Sequence, residues 1–264
     1  MTSRQALLVD SDGEQIGVEV AGTGPAVVLL HGSGGNRATW WRQVVDLAAD
    51  YTVVVVEARG SGRSTDTRDL TGPVACARDL EAVRAHLGLE TWHVVGHSLG
   101  GWTALRYAAT CPSRTTSCLV LSSVGGVFPP VADAHWQRFT ADLAARGWPV
   151  AELARPPSLT PAFCDAQPAA AHLYQLVGSL NPPPSPTSPA ARIRDDDLTP
   201  AQVAALTMPV TFVVGSEDQI AAPEAVRAAA EAIGARYVEL GGAGHVPFWE
   251  DPAGFAIALR GLLP

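Results

Sequence analysis

Six short runs of aliphatic and β-branched residues recur along the chain, at 26–30, 52–57, 92–96, 117–122, 210–215 and 236–240. Runs that are apolar at nearly every position suit strands buried on both faces, which belong to a mainly parallel sheet with helices packed on each side. Between them apolar residues recur at helical spacing, as in Val44, Leu47 and Ala48, and again in Leu80, Val83 and Leu87, where Gly88 supplies a helix stop. The pattern predicts an α/β fold with a mostly parallel central sheet flanked by helices. Ahead of it, residues 6–10 and 15–21 alternate apolar and polar positions across Asp12-Gly13. That alternation predicts an antiparallel hairpin at the sheet's edge.

The regularity stops near Phe128 and returns at Val210. Fourteen of the chain's twenty-one prolines fall between these points, several in the tract NPPPSPTSP at 181–189, where a regular element could hardly persist. Helical pieces are expected at 133–147 and 166–178. The sheet pattern resumes afterwards, so the reading is a core of residues 1–127 and 206–264 interrupted by a helical insertion over 128–205. An insertion that leaves the end of a sheet strand is well placed to cover a site there.

Charge and composition narrow the partners. A formal net charge of -8 leaves no broad basic surface for phosphate backbones or anionic membranes, so the expected partner is a small molecule, with no nucleic acid and no membrane. The N-terminus lacks a basic segment followed by a long apolar stretch, and no apolar run approaches a bilayer's thickness. Cys76, Cys111, Cys118 and Cys164 show no C-x-x-C spacing and are read as free thiols in a reducing cytoplasm. No metal-ligand cluster or cofactor fingerprint is visible, and none is expected.

The chemistry concentrates in four loops. Gly96-His97-Ser98-Leu99-Gly100 fits G-x-S-x-G directly after a strand and directly before a helix, the context of a nucleophile elbow. A serine hydroxyl needs a neighbouring base, normally a histidine oriented by a carboxylate. Of seven histidines, His245 stands in the glycine-rich loop GGAGHVPFWEDP after the last strand and is the expected base. His97 is read as packing or hydrogen-bonding the turn, and His31 as a brace for its loop. Asp218, three residues past the strand at 210–215, is the expected orienting carboxylate, with the adjacent Glu217 as its competitor. The turn His31-Gly32-Ser33-Gly34-Gly35 offers the backbone N–H of Ser33, which with that of Leu99 makes a two-donor oxyanion hole worth about 3 kcal/mol per donor. It lacks the G-K-[ST] ending of a phosphate loop.

Taken together and in order, HGSGG at 31–35, EARGSGRS at 57–64, GHSLGG at 96–101, GSEDQIAAPE at 215–224 and GAGHVPFWEDP at 242–252 make the chain resemble the α/β-hydrolase superfamily over nearly its whole length. The resemblance implies Ser98 as nucleophile, Asp218 as orienter, His245 as base, the amides of Ser33 and Leu99 as oxyanion donors, and a helical cap at 128–205. Glu57 departs from the family's usual Asp at a position that is structural. A serine at 98 argues against the members that use an aspartate nucleophile. The expected activity is cleavage of a small, largely apolar ester or lactone through an acyl-enzyme, with Trp102, Phe128, Trp136, Trp148 and Trp249 as candidate pocket residues. Three alternatives stay open: hydrolysis of a C–C bond in ring-fission-type dienones, cofactor-free oxygenase or lyase chemistry, and a hydrolase-fold receptor.

Overall fold

The structure, a computed structural model, describes residues 4–146, 156–182 and 197–263. The hairpin forms as the alternation predicts: β1 (Arg4–Ser11) runs antiparallel to β2 (Glu14–Ala21), joined through Asp12 and Gly13 at φ 54° and 78°. Positive φ at both central residues is the signature of the hairpin turn whose twist matches that of its strands. The apolar runs become β3 (Ala26–Leu30), β4 (Thr52–Val56), β5 (Trp92–His97), β6 (Thr115–Leu121), β7 (Val210–Gly215) and β8 (Arg236–Leu240), the last at the sheet's edge with no residue buried, where burial on both faces was expected. The eight strands lie in one sheet in the order β1-β2-β4-β3-β5-β6-β7-β8. The pairs from β4 through β3 to β8 are all parallel, while β2 meets β4 antiparallel.

Each parallel strand feeds two cores because alternate side chains face opposite ways. On β3, Ala26, Val28 and Leu30 enter one cluster and Val27 and Leu29 the other. The first cluster is closed by α2 (Pro73–His86) and α3 (Leu99–Thr110), the second by α1 (Trp41–Leu47). Between β6 and β7 the insertion forms α4 (Pro130–Arg146), α5 (Pro161–Ala166), α6 (Pro168–Ser179) and α7 (Pro200–Ala204). Two of these, α4 and α6, coincide with the helical pieces read from the sequence. The other two are only six and five residues long, too short to show a periodicity, and begin with Pro after a capping Thr. The chain closes through α8 (Pro223–Ala232), α9 (Pro247–Glu250) and α10 (Pro252–Leu262).

Parallel strands carry their loops to one edge. The turns after β3, β5, β7 and β8 therefore meet at the carboxyl end of the sheet, where β3 neighbours both β4 and β5 and the connection reverses direction. Such a reversal opens a crevice between adjacent loops. No helix among the described residues is long and apolar enough to cross a membrane. All four cysteines are free.

Candidate active site

Ser98 is the single residue between β5 and α3, and its backbone stands at φ 53°, ψ -117°. For a residue with a Cβ this is strained, at a cost of about 1–3 kcal/mol. Although Ser98 occupies the N-cap position, its side chain makes no capping hydrogen bond. The hydroxyl is thus not spent on the helix, and the α3 N-terminus directs its dipole toward it. The strained turn is accommodated by two glycines. A Cβ at Gly96 would lie 2.0 Å from the Gly100 carbonyl oxygen, and one at Gly100 would lie 2.5 Å from the Leu30 carbonyl oxygen. Gly32 also comes near from the β3 loop: a Cβ there would meet that of Ser98 at 3.0 Å.

His245 and Asp218 are both buried, and the ring Nδ1 lies 2.9 Å from Asp218 Oδ2 and 3.1 Å from Oδ1. A carboxylate can only accept, so Nδ1 carries the proton and Nε2 the lone pair. Asp218 is held in turn by the N–H groups of Ile220 (2.9 Å) and Ala221 (2.8 Å), both on its Oδ1. Glu217 is exposed and takes no part in this pairing. The choice between the two acids is thus made by the backbone turn after β7, which sends Asp218 inward.

His97 joins the two loops. Its Nε2–H donates to the backbone carbonyl of His245 at 2.8 Å, and its ring packs against those of His245 and Phe248. Burial, reinforced by His245, holds its pKa well below the ordinary histidine value, so it stays neutral. Its Nδ1 is buried without a hydrogen-bond partner among the described residues, close against Gly32. His31 does for the β3 loop what the sequence suggested: its Nε2 accepts from the Ala58 N–H at 3.1 Å and its Nδ1–H donates to the Gly32 carbonyl at 2.7 Å. Burial lowers its pKa as well. The turn beyond it is closed by the Gly35 N–H on the Gly32 carbonyl (3.1 Å), with Gly34 at φ 72° and Ser33 exposed at its crest. Glu57 is buried and receives the Arg63 N–H at 3.0 Å, a structural post for the loop after β4.

A cavity of roughly 590 Å³ opens beside this turn and is bounded by Ser33, Leu99, Thr103, Cys76, Leu80, Arg59 and Asn181 among others. Ser98 and His245 stand outside its wall, as do the four described candidate aromatics. Trp102, Phe128 and Trp136 form a cluster of their own where α3 meets the insertion, with ring centroids 5.3–6.1 Å apart. Trp249 is buried, donates its indole N–H to the Ala170 carbonyl at 3.1 Å, and meets Trp41 and Tyr174 edge-on. Trp148 lies outside the described residues. Among the described residues no group of three or more His, Cys, Asp or Glu side chains could hold a metal ion.

Three side-chain links between the insertion and the site escape sequence reading. His135 on α4 donates to the Ile220 carbonyl (2.9 Å) in the Asp218 loop. Thr160 donates to Glu250 (2.6 Å), whose other oxygen receives the Gly244 N–H (3.0 Å) beside His245. Asn181 reaches the turn after β3. Only Glu250 carried a signal, since it stands in the His245 loop motif.

A strand-elbow-helix serine and a carboxylate-oriented histidine, gathered at the carboxyl edge of a mostly parallel sheet, make the arrangement of an α/β hydrolase. Comparison with known proteins agrees: the family model described as "Alpha/beta hydrolase family" matches residues 27–258, and the chain belongs to that family. It is 30% identical over 261 residues to an uncharacterized protein of Mycobacterium tuberculosis, covering 89% of this chain and 74% of that one. Among solved structures it is similar to a thermophilic esterase from Thermogutta terrifontis, with a TM-score of 0.79, 25% identity and 98% of each chain covered. The enol-lactonase of Burkholderia xenovorans shares the fold at a TM-score of 0.79 and 22% identity, with 97% of this chain and 99% of that one covered. The family membership and the likeness to the esterase support a hydrolase activity.

Proposed function

We propose that the protein is a cytoplasmic serine hydrolase that cleaves a small, largely apolar carboxylic ester or lactone through an acyl-enzyme. The observation that carries the reading is the Ser98 hydroxyl, released from capping on a strained elbow, at the same sheet edge as a His245 whose tautomer is set by Asp218. In the proposed path His245 Nε2 takes the Ser98 proton as Oγ attacks the acyl carbon. The N–H groups of Ser33 and Leu99 receive the developing oxyanion, and protonated His245 gives its proton to the departing alkoxide. His245 then removes a proton from water, which attacks the acyl-serine and regenerates the free hydroxyl with release of the acid. For a lactone the alcohol and acid leave as one molecule. The insertion over 128–205 acts as the cap.

The test is covalent labelling. A fluorophosphonate should modify the wild-type protein once, on Ser98, and Ser98→Ala should lose both the label and the turnover of short-chain aryl esters and lactones. Turnover that survives in Ser98→Ala would point instead to chemistry driven by His245 and Asp218 alone.

A further inference from the structure

Asn181 follows α6 by two residues and begins the proline tract, yet its carboxamide is fully engaged. Its Nδ2 donates to the carbonyl of Gly34 at 2.7 Å and to that of Gly35 at 3.1 Å. Its Oδ1 accepts the N–H of Gly62 at 2.9 Å and the Nδ2 of Asn36 at 3.3 Å. An amide has two N–H donors and an oxygen with two lone pairs, so four partners exhaust it. The neighbouring contacts run in the same direction. Asn36 Nδ2 also donates to the Val177 carbonyl at 2.8 Å in the last turn of α6, an oxygen it shares with the Leu180 N–H. Gly178 approaches so closely that a Cβ there would stand 3.3 Å from the Gly34 oxygen.

The first bond holds the Gly34–Gly35 peptide, whose N–H donates to the Gly32 carbonyl, the oxygen of the peptide that carries the Ser33 N–H; the second holds the Gly35–Asn36 peptide, and the Gly62 bond ties that turn to the loop after β4. Gly34 is at φ 72° and Ser33 is exposed, so nothing within the turn beyond the Gly35-to-Gly32 bond and the His31 contact fixes the direction of the Ser33 N–H. We propose that Asn181 is a positioning residue for the oxyanion donor: reaching from the insertion, it sets the peptide planes of Gly34 and Gly35 and thereby aims the Ser33 N–H. The inference rests on the serine-hydrolase reading above. It makes the insertion a participant in the chemical step, since an oxyanion donor displaced by a fraction of an ångström stabilises the tetrahedral intermediate less than the ground state suggests.

Asn181→Asp is nearly isosteric. It keeps acceptors for Gly62 and Asn36 but replaces the donor toward Gly34 and Gly35 with a carboxylate oxygen; Asn181→Ala removes all four bonds. The experiment measures kcat and KM on a short-chain aryl ester, and the inhibition constant of an arylboronic acid, whose tetrahedral serine adduct fills the oxyanion hole. Removing an oxyanion donor outright costs about 10²–10³ in kcat, so misaiming one should lower kcat on the order of 10-fold in both variants. KM should stay within about 2-fold, and boronate affinity should fall by about the same factor as kcat. A KM rise at constant kcat and constant boronate affinity would overturn the inference and leave Asn181 as a wall of the cavity. If Asn181→Ala fails to fold, the Asp variant carries the test alone. A Ser98→Ala protein that retains turnover would remove the underlying reading, whatever the Asn181 variants do.

Discussion

At the scale of single residues, the site is decided by who fits between β5 and α3. Ser98 adopts a backbone conformation that costs energy, and it is kept there because its neighbours leave no alternative: Gly96 lies against the Gly100 carbonyl and the Ala104 methyl, where a Cβ would meet atoms at 2.0 and 2.8 Å. Overpacking of a close backbone contact typically costs about 1–3 kcal/mol. Gly96→Ala is therefore expected to lower the thermal midpoint by about 2–12 °C, at about 2–4 °C per kcal/mol for a chain of this size, and to cut turnover of a short-chain aryl ester as the elbow shifts. Gly261→Ala is the matched control: it lies in α10 with open space around it, and it should hold or raise the midpoint because alanine favours helix over glycine. A scanning calorimetry trace of each protein distinguishes the two. The histidine at 97 shows how much one residue's role depends on direction. Adjacent to the serine in sequence, it turns away to bond the backbone of His245, and burial keeps it uncharged.

At the scale of elements, loops are tied together by buried polar side chains rather than by more secondary structure. Glu14, the first residue of β2, is fully buried and accepts from the Thr67 N–H at 2.9 Å, the Thr67 hydroxyl at 2.7 Å and the Thr65 hydroxyl at 2.5 Å. These bonds, Thr65 first, hold its pKa at about 2 against an ordinary 4.5. A carboxyl with a depressed folded pKa stabilises the fold above its unfolded value, and that contribution is lost as pH falls through the folded one. Wild type should accordingly lose stability relative to Glu14→Gln between pH 4.5 and 2, the gap being widest above 4.5 and nearly closed at 2, as followed by urea midpoints across that range. Five buried strands and the edge hairpin were legible in the sequence because a strand buried on both faces leaves a continuous apolar run and a half-buried one alternates, whereas β8 lies at the far edge of the sheet with no residue buried. Helices α5 and α7 were not, since six and five residues complete fewer than two turns. The loops of Ser98, Asp218 and His245 could be read because each follows a recognisable strand. Asn181, Thr160 and His135 could not, because their partners lie 85 to 147 positions away in the chain and no local pattern marks them.

At the scale of the whole molecule, the insertion grips three of the four loops of the site, each through one polar side chain: His135 the Asp218 loop, Thr160 the His245 loop through Glu250, and Asn181 the turn after β3. Burial raises the Glu250 pKa, and the Thr160 hydroxyl and N–H with the Gly244 N–H draw it back down. Thr160 also caps α5 by accepting the Phe163 N–H. Thr160→Val preserves shape while removing both hydroxyl bonds, and loss of a cap alone costs about 1 kcal/mol. The expected fall in thermal midpoint is about 2–4 °C; an unchanged midpoint would show that this link contributes nothing to holding the insertion down. The proposed path requires that Ser98 become acylated during turnover. The most direct measurement is rapid acid quench of the protein after mixing with a short-chain aryl ester, followed by intact and peptide mass analysis. One acyl group per chain is expected, located on the peptide containing Ser98 and absent in Ser98→Ala. Undiminished turnover in Ser98→Ala, or an acyl group on any other residue, would contradict it.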